Sequence, residues 1–164
     1  MGDKKKQSIA ACAARKLELK DVSVADMRAH LLRKGYDADE VEETIGQLIS
    51  LEYLDDVRFA AGFFRSAFAK NKSRRRAETE LYAKGVSKND IEDGFVRYTE
   101  EYGEPDESEQ AIREAEKVLR LAELPEGEPI PDKLKGRIAR RLASKGYSPG
   151  TAYRTLEALE RGRQ

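Results

Sequence analysis

The 164-residue chain has one cysteine, one histidine and no tryptophan. A single thiol, Cys12, excludes an internal disulfide and any cysteine-built zinc site, and fits a reducing compartment in which it is buried and inert. The lone His30 has no neighbour at metal-ligand spacing and reads as a surface or boundary residue. With no glycine-rich phosphate loop either, the usual sources of nucleophilic, metal or nucleotide chemistry are missing, so neither an enzyme nor a cofactor is expected. The longest apolar stretch, Ile9 to Ala14, is six residues, where a membrane-spanning helix needs about 20. Lys4, Lys5 and Lys6 are not followed by a signal-type apolar run. A soluble, cytoplasmic protein that does not engage the membrane is expected. Only 5 prolines and 12 glycines are present, too few for the turns of an all-β barrel or sandwich.

What the chain has in quantity is charge. Asp, Glu, Lys and Arg make up 38% of it, against roughly 25% in an average domain, and this favours long charged helices. The 31 basic and 31 acidic residues cancel, but not locally. Residues 1–20 carry a net +4, residues 21–54 −5, residues 55–89 +5, residues 90–132 −11 and residues 133–164 +7. Alternating blocks let different faces meet different partners, although much of this charge belongs to solvated helix faces.

One pattern occurs three times without a gap. It reads LLRKGYDADEVEETI from Leu31, LYAKGVSKNDIEDGF from Leu81 and LASKGYSPGTAYRTL from Leu142. Each copy ends a helix at Lys-Gly, where glycine supplies the left-handed residue, and starts another two residues later at Asp37, Ser87 or Ser148. Glu40 and Asp90 nearly complete capping boxes, and Pro149 takes the preferred first helical position. Met27 and Leu31, Ala77 and Leu81, and Ile138 and Leu142 define the core face of each first helix. Val41 and Ile45, then Ile91 and Phe95, do so for the second helices. A further helix, capped by Asp55, is expected from Val57 to about Lys70, and another from Glu107 to Leu121.

The predicted organisation is all-α. It comprises an N-terminal basic segment (1–20), helical repeats over 21–72 and 73–123, a Pro-rich linker over 124–132 that could hinge, and a third repeat over 133–164 that reads as a helix pair. Tandem three-helix repeats of this kind form an elongated body, open to curvature, that offers surface rather than a pocket.

A helix, a glycine turn and a second helix also describe a helix-turn-helix DNA reader. The first candidate recognition helix, however, would bring Asp39, Glu40, Glu42 and Glu43 to the phosphates, and the second Asp90, Glu92 and Asp93. Only the third, with Tyr153 and Arg154, is compatible. Arg58, Phe59, Phe63, Phe64, Arg65 and Phe68 mix basic and aromatic residues as base-stacking surfaces do, but phenylalanines four apart on a helix read first as core. The cations gather elsewhere. Lys70, Lys72, Arg74, Arg75 and Arg76 lead into the second repeat, and Lys133, Lys135, Arg137, Arg140 and Arg141 into the third. With Ser73 as a cap, Arg74 to Arg76 fill a first helical turn and point to solvent. Cations at helix N-termini oppose the helix dipole, so both clusters are candidate sites for a phosphate or carboxylate partner.

Tyr53 to Ala60, YLDDVRFA, follows one Lys-Gly-Tyr helix pair and precedes an arginine-rich segment and Lys84-Gly85-Val86. With the helix from Ala111 to Arg120, this makes residues 10 to 160 resemble the RecX regulatory protein family. Lys72-Ser73-Arg74-Arg75-Arg76-Ala77 departs from that family, which usually has a glycine-containing stretch there. The resemblance implies a three-helix repeat fold and a cytoplasmic bacterial protein. It further implies binding to the RecA recombinase filament, with inhibition of its growth, ATPase, strand exchange and coprotease activity. A monomer is expected, and contact with single- or double-stranded DNA is open. The alternative is a DNA-binding or architectural helical protein acting without a recombinase.

Overall fold

A computed structural model describes residues 7–164, so Lys4, Lys5 and Lys6 lie outside the described residues. Among these residues there are nine helices and no strand: α1 (Ile9–Leu19), α2 (Val24–Arg33), α3 (Ala38–Ser50), α4 (Asp56–Ala69), α5 (Arg74–Ala83), α6 (Lys88–Tyr102), α7 (Glu107–Leu121), α8 (Asp132–Ser144) and α9 (Pro149–Arg161). The fold is all-α and built from three-helix repeats.

The three Lys-Gly turns share one backbone geometry. Gly35, Gly85 and Gly146 have φ of 86°, 76° and 92°. The amide of each following residue donates to the carbonyl of Leu31, Leu81 or Leu142, at 3.4, 3.2 and 3.1 Å. This is the Schellman closure, in which a left-handed residue satisfies the last carbonyls of a helix. Tyr36, Val86 and Tyr147, which supply those amides, are all buried. Each turn is therefore fixed by a hydrogen bond and by an apolar anchor. The expected caps are in place, with Ser87 Oγ accepting from Asp90 N at 3.1 Å and Asp37 and Ser148 capping α3 and α9.

The chain divides into two units. The first is Met1–Gly62 with Glu80–Arg97, and the second is Phe63–Thr79 with Tyr98–Gln164. In the first, α1, α2 and α3 pack on one another around Ala13, Met27, Leu31, Val41, Ile45 and Leu54. Burial of each of the larger side chains among them contributes roughly 1.5–3 kcal/mol. Ser23 Oγ donates to Lys84 O at 2.7 Å, and the Gly94 Cα faces Ala60 so closely that a Cβ there would lie 2.5 Å from the alanine methyl.

In the second unit, α7, α8 and α9 pack on one another around Ala111, Ala115, Leu119, Ile138, Leu142 and Ala152. The turn-based frame attaches α7 to the second repeat, whereas packing places it on α8 and α9. A three-helix period can be cut at any of its three joints, and turn sequences alone do not choose among them. The Pro-rich stretch is packed as well. Ile130 is buried in this core, and Arg163 Nε donates to Glu128 O at 2.7 Å while its Nη2 donates to Pro125 O.

Phe64 and Phe68 are buried, with ring centroids 5.7 Å apart, and Phe68 meets Tyr98 edge-on at 5.0 Å. These rings are core, as their spacing on α4 indicates. Arg58 Nη1 is turned back onto Glu52 O at 3.0 Å, and the Arg65 guanidinium lies 5.1 Å from the Tyr102 ring centroid. His30 is half-buried, a boundary residue whose Nε2 lies 3.7 Å from the buried Cys12 Sγ. Burial, then the charges of Lys16, Lys34 and Arg33, hold its pKa below the ordinary imidazole value. No group of three metal-ligating side chains occurs among the described residues.

Candidate partner-binding surface

The first basic cluster surrounds the start of α5. Ser73 is buried, and its Oγ accepts from Arg76 N at 3.0 Å, which makes it the cap expected of it. Arg75 and Arg76 are exposed. Arg74 does not point freely into solvent: its Nε donates to Glu78 Oε1 at 2.7 Å, and its backbone N donates to Glu107 Oε1 at 2.5 Å. No acidic residue lies in the first turn of α5 itself, and the Glu107 carboxylate of α7, on the Arg74 amide, partly offsets the dipole conflict there.

The second cluster is distributed differently. Lys133 and Lys135 lie in the first turn of α8, which also carries Asp132, whereas Arg140 and Arg141 lie near its C-terminal end. Cations there complement the dipole. The expectation that the whole cluster strains a helix N-terminus therefore holds for Lys133 and Lys135 alone. Lys135 Nζ is paired with Glu160 Oε1 at 2.6 Å. Lys70, Arg75, Lys133, Arg137 and Arg140 form no ion pair among the described residues, and the side chains of Arg75, Lys133, Arg137 and Arg140 are open to a partner.

The network that positions both clusters centres on Glu114, which sequence reasoning passed over. Its side chain is fully buried and its carboxylate accepts from Arg141 Nε at 2.7 Å, Asn71 Nδ2 at 3.1 Å and Lys117 Nζ at 3.2 Å. Burial by itself would raise its pKa. These three hydrogen bonds and the nearby Lys145 charge outweigh burial and lower the pKa to about 2. Asn71 takes φ of 55°, a conformation asparagine tolerates better than most residues. The turn it forms is clamped from the α8–α9 corner: Tyr147 OH donates to Asn71 O at 2.8 Å, Lys145 Nζ to Lys70 O at 2.9 Å, and Ser73 N to Lys145 O at 2.9 Å. Burial, followed by the charges of Glu107 and Glu114, pushes the Tyr147 phenol up.

The sequence does carry a signal for Glu114. It falls among Gln110, Ala111, Ala115, Val118 and Leu119, all buried on α7. A carboxylate on the apolar stripe of an amphipathic helix must find partners or remain a costly buried charge.

Between α7 and α8, Arg137, Arg140, Arg141 and Lys117 gather around Val118 and Leu121 in one open groove. This brings together three of the ten predicted site residues with a lysine that was not among them. Chemically, the surface can bind anions and can bury a small apolar group. It holds no nucleophile with an adjacent base.

The chain is similar to known proteins of one family. The family pattern described as RecX, second three-helix domain, matches residues 55–94. The regulatory protein RecX of Mycobacterium sp. (strain KMS) is 31% identical over 130 residues, which cover 78% of this chain and 68% of that protein. The same-named protein of Mycobacterium ulcerans (strain Agy99) is 29% identical over 150 residues, covering 91% and 82%. The crystal structure of RecX from Lactobacillus salivarius superposes with a TM-score of 0.70 at 20% identity, covering 93% of this chain and 95% of that one. Among the described residues, no helix is long and apolar enough to cross a membrane.

Proposed function

We propose, starting from the fact that this chain belongs to the RecX family of regulatory proteins, that it binds the nucleoprotein filament of a RecA-type recombinase. Binding limits filament growth and lowers the ATPase, strand-exchange and coprotease activities that depend on it. The chain acts in the cytoplasm, as a monomer and by binding alone. Family membership is the observation that carries this reading, and the charge distribution supports it. A filament of protein on DNA presents both carboxylates and phosphates, and this chain offers Arg75 and Arg76 on α5 and Lys133, Arg137 and Arg140 on α8 as exposed cations. The remaining members of the two clusters, Lys70, Lys72, Arg74, Lys135 and Arg141, complete the basic surfaces that meet it.

The test is a titration of the chain into a recombinase hydrolysing ATP on single-stranded DNA. ATP turnover should fall at near-stoichiometric or lower ratios of chain to recombinase. Turnover that stays constant with the chain in excess, across a range of salt, sinks the reading.

A further inference from the structure

The groove between α7 and α8 combines four cations with an exposed apolar side chain. Lys117, Arg137, Arg140 and Arg141 line it together with Val118 and Leu121, and Leu121 is 81% exposed. The carboxylate beneath, Glu114, is fully buried and already bonded to Asn71, Arg141 and Lys117. It offsets part of the charge of Arg141 and Lys117 and leaves that of Arg137 and Arg140 unbalanced. Arg137 and Arg140 make no ion pair among the described residues, and Lys117 and Arg141 remain half-exposed despite their contact with Glu114. Repulsion among four cations is tolerated at the surface and is relieved when anions dock.

We propose that this groove docks an acidic segment of the recombinase itself, one that carries an apolar side chain to cover Leu121. The proposal rests on the reading of function above and assigns the protein component of the filament, rather than its DNA, to this surface. The charge selects an anionic partner. Leucine selects protein: a phosphate backbone gains from the cations but leaves Leu121 in water, whereas a peptide with carboxylates around an apolar residue satisfies both. An apolar centre within a polar rim is the usual anatomy of a protein interface.

The experiment measures binding of the intact chain and of two variants, Leu121→Ser and the double charge reversal Arg137→Glu/Arg140→Glu, to recombinase filaments on a labelled oligonucleotide and to the bare oligonucleotide. All three altered positions are exposed and none bonds Glu114, so circular dichroism should be unchanged. Leu121→Ser should weaken filament binding about tenfold, from the loss of one buried leucine, and leave binding to bare oligonucleotide unaltered. The charge reversal should weaken filament binding by roughly tenfold or more. If the charge reversal weakens filament and bare-DNA binding in parallel while Leu121→Ser changes neither, the groove meets nucleic acid and the assignment is overturned. If the unaltered chain binds filaments and both variants match it, the groove is not the site, although the reading of function stands. Failure of the unaltered chain to bind filaments removes both.

Discussion

Glu114 Oε1 and Arg141 Nε lie 2.7 Å apart, with the carboxylate fully buried and the guanidinium half in solvent. The pair joins α7 to α8 while Asn71, bonded to the other carboxylate oxygen, ties in the turn before α5. Removing one member of a buried ion pair usually costs 3–5 kcal/mol because the other is left uncompensated. Here Arg141 and Lys117 can recover water. Glu114→Ala should therefore destabilise the protein by about 3 kcal/mol, read as a lower urea midpoint at unchanged slope. Arg141→Ala should cost less, since Lys117 and Asn71 still hold the carboxylate.

The same carboxylate should make stability sensitive to acid. Its folded pKa, about 2, lies below the ordinary value of 4.5. The native state thus binds the proton less well than the unfolded chain does. The stabilisation is present above pH 4.5 and is lost as pH falls towards 2, amounting to on the order of 3 kcal/mol. Stability measured from pH 6 to pH 2 should fall steeply across this window in the native chain and more gently in Glu114→Gln. Parallel curves would show that the carboxylate is not the group responsible.

Two turn glycines should respond differently to alanine. Both Gly35 and Gly146 have positive φ, and a left-handed conformation costs a non-glycine residue roughly 1–2 kcal/mol. At Gly35 a new Cβ would meet nothing within 4 Å, whereas at Gly146 it would lie 2.4 Å from Ser73 Oγ and 2.5 Å from Arg76 Cβ. Gly146→Ala should be the more damaging by a further 1–3 kcal/mol or so, the usual cost of overpacking. Equal losses in thermal or urea unfolding would mean that the close approach of α5 to this corner is relaxed at little cost.

Alanine at Arg75 should change stability by no more than about 0.5 kcal/mol, as for other exposed positions. The triple replacement of Arg74, Arg75 and Arg76 loses in addition the Arg74 pair with Glu78, a helix-surface contact contributing about 0.3–0.5 kcal/mol. Attachment to the filament should weaken in the triple variant. If these residues meet phosphates, the slope of log affinity against log salt should flatten by about 0.7–0.9 per lost contact. A folded triple variant with unchanged affinity and salt slope would move the site to α8.

Local structure was legible in the sequence wherever one residue type has one conformational use. The glycine-ended helices, the caps at Asp37, Ser73, Ser87 and Ser148, and the span of α7 all stand where the turn chemistry places them. Long-range relations were less legible. The position of Glu114 on the apolar stripe of α7 is visible in the sequence, but what pairs with it is not, because its partners Asn71 and Arg141 are 43 and 27 positions away. The same distance hides the commitment of Lys135 to Glu160. The grouping of α7 with α8 and α9 depends on which faces meet, and a repeat pattern fixes the period of a fold without fixing where each repeat begins.

The central claim is that this chain recognises a filament rather than naked nucleic acid, and co-sedimentation tests it directly. The chain is spun at physiological salt with recombinase filaments assembled on single-stranded DNA and, in a parallel tube, with the same DNA alone. The account predicts saturable recovery with the filaments and little with the DNA. Equal recovery in both tubes, or none with the filaments, would contradict it.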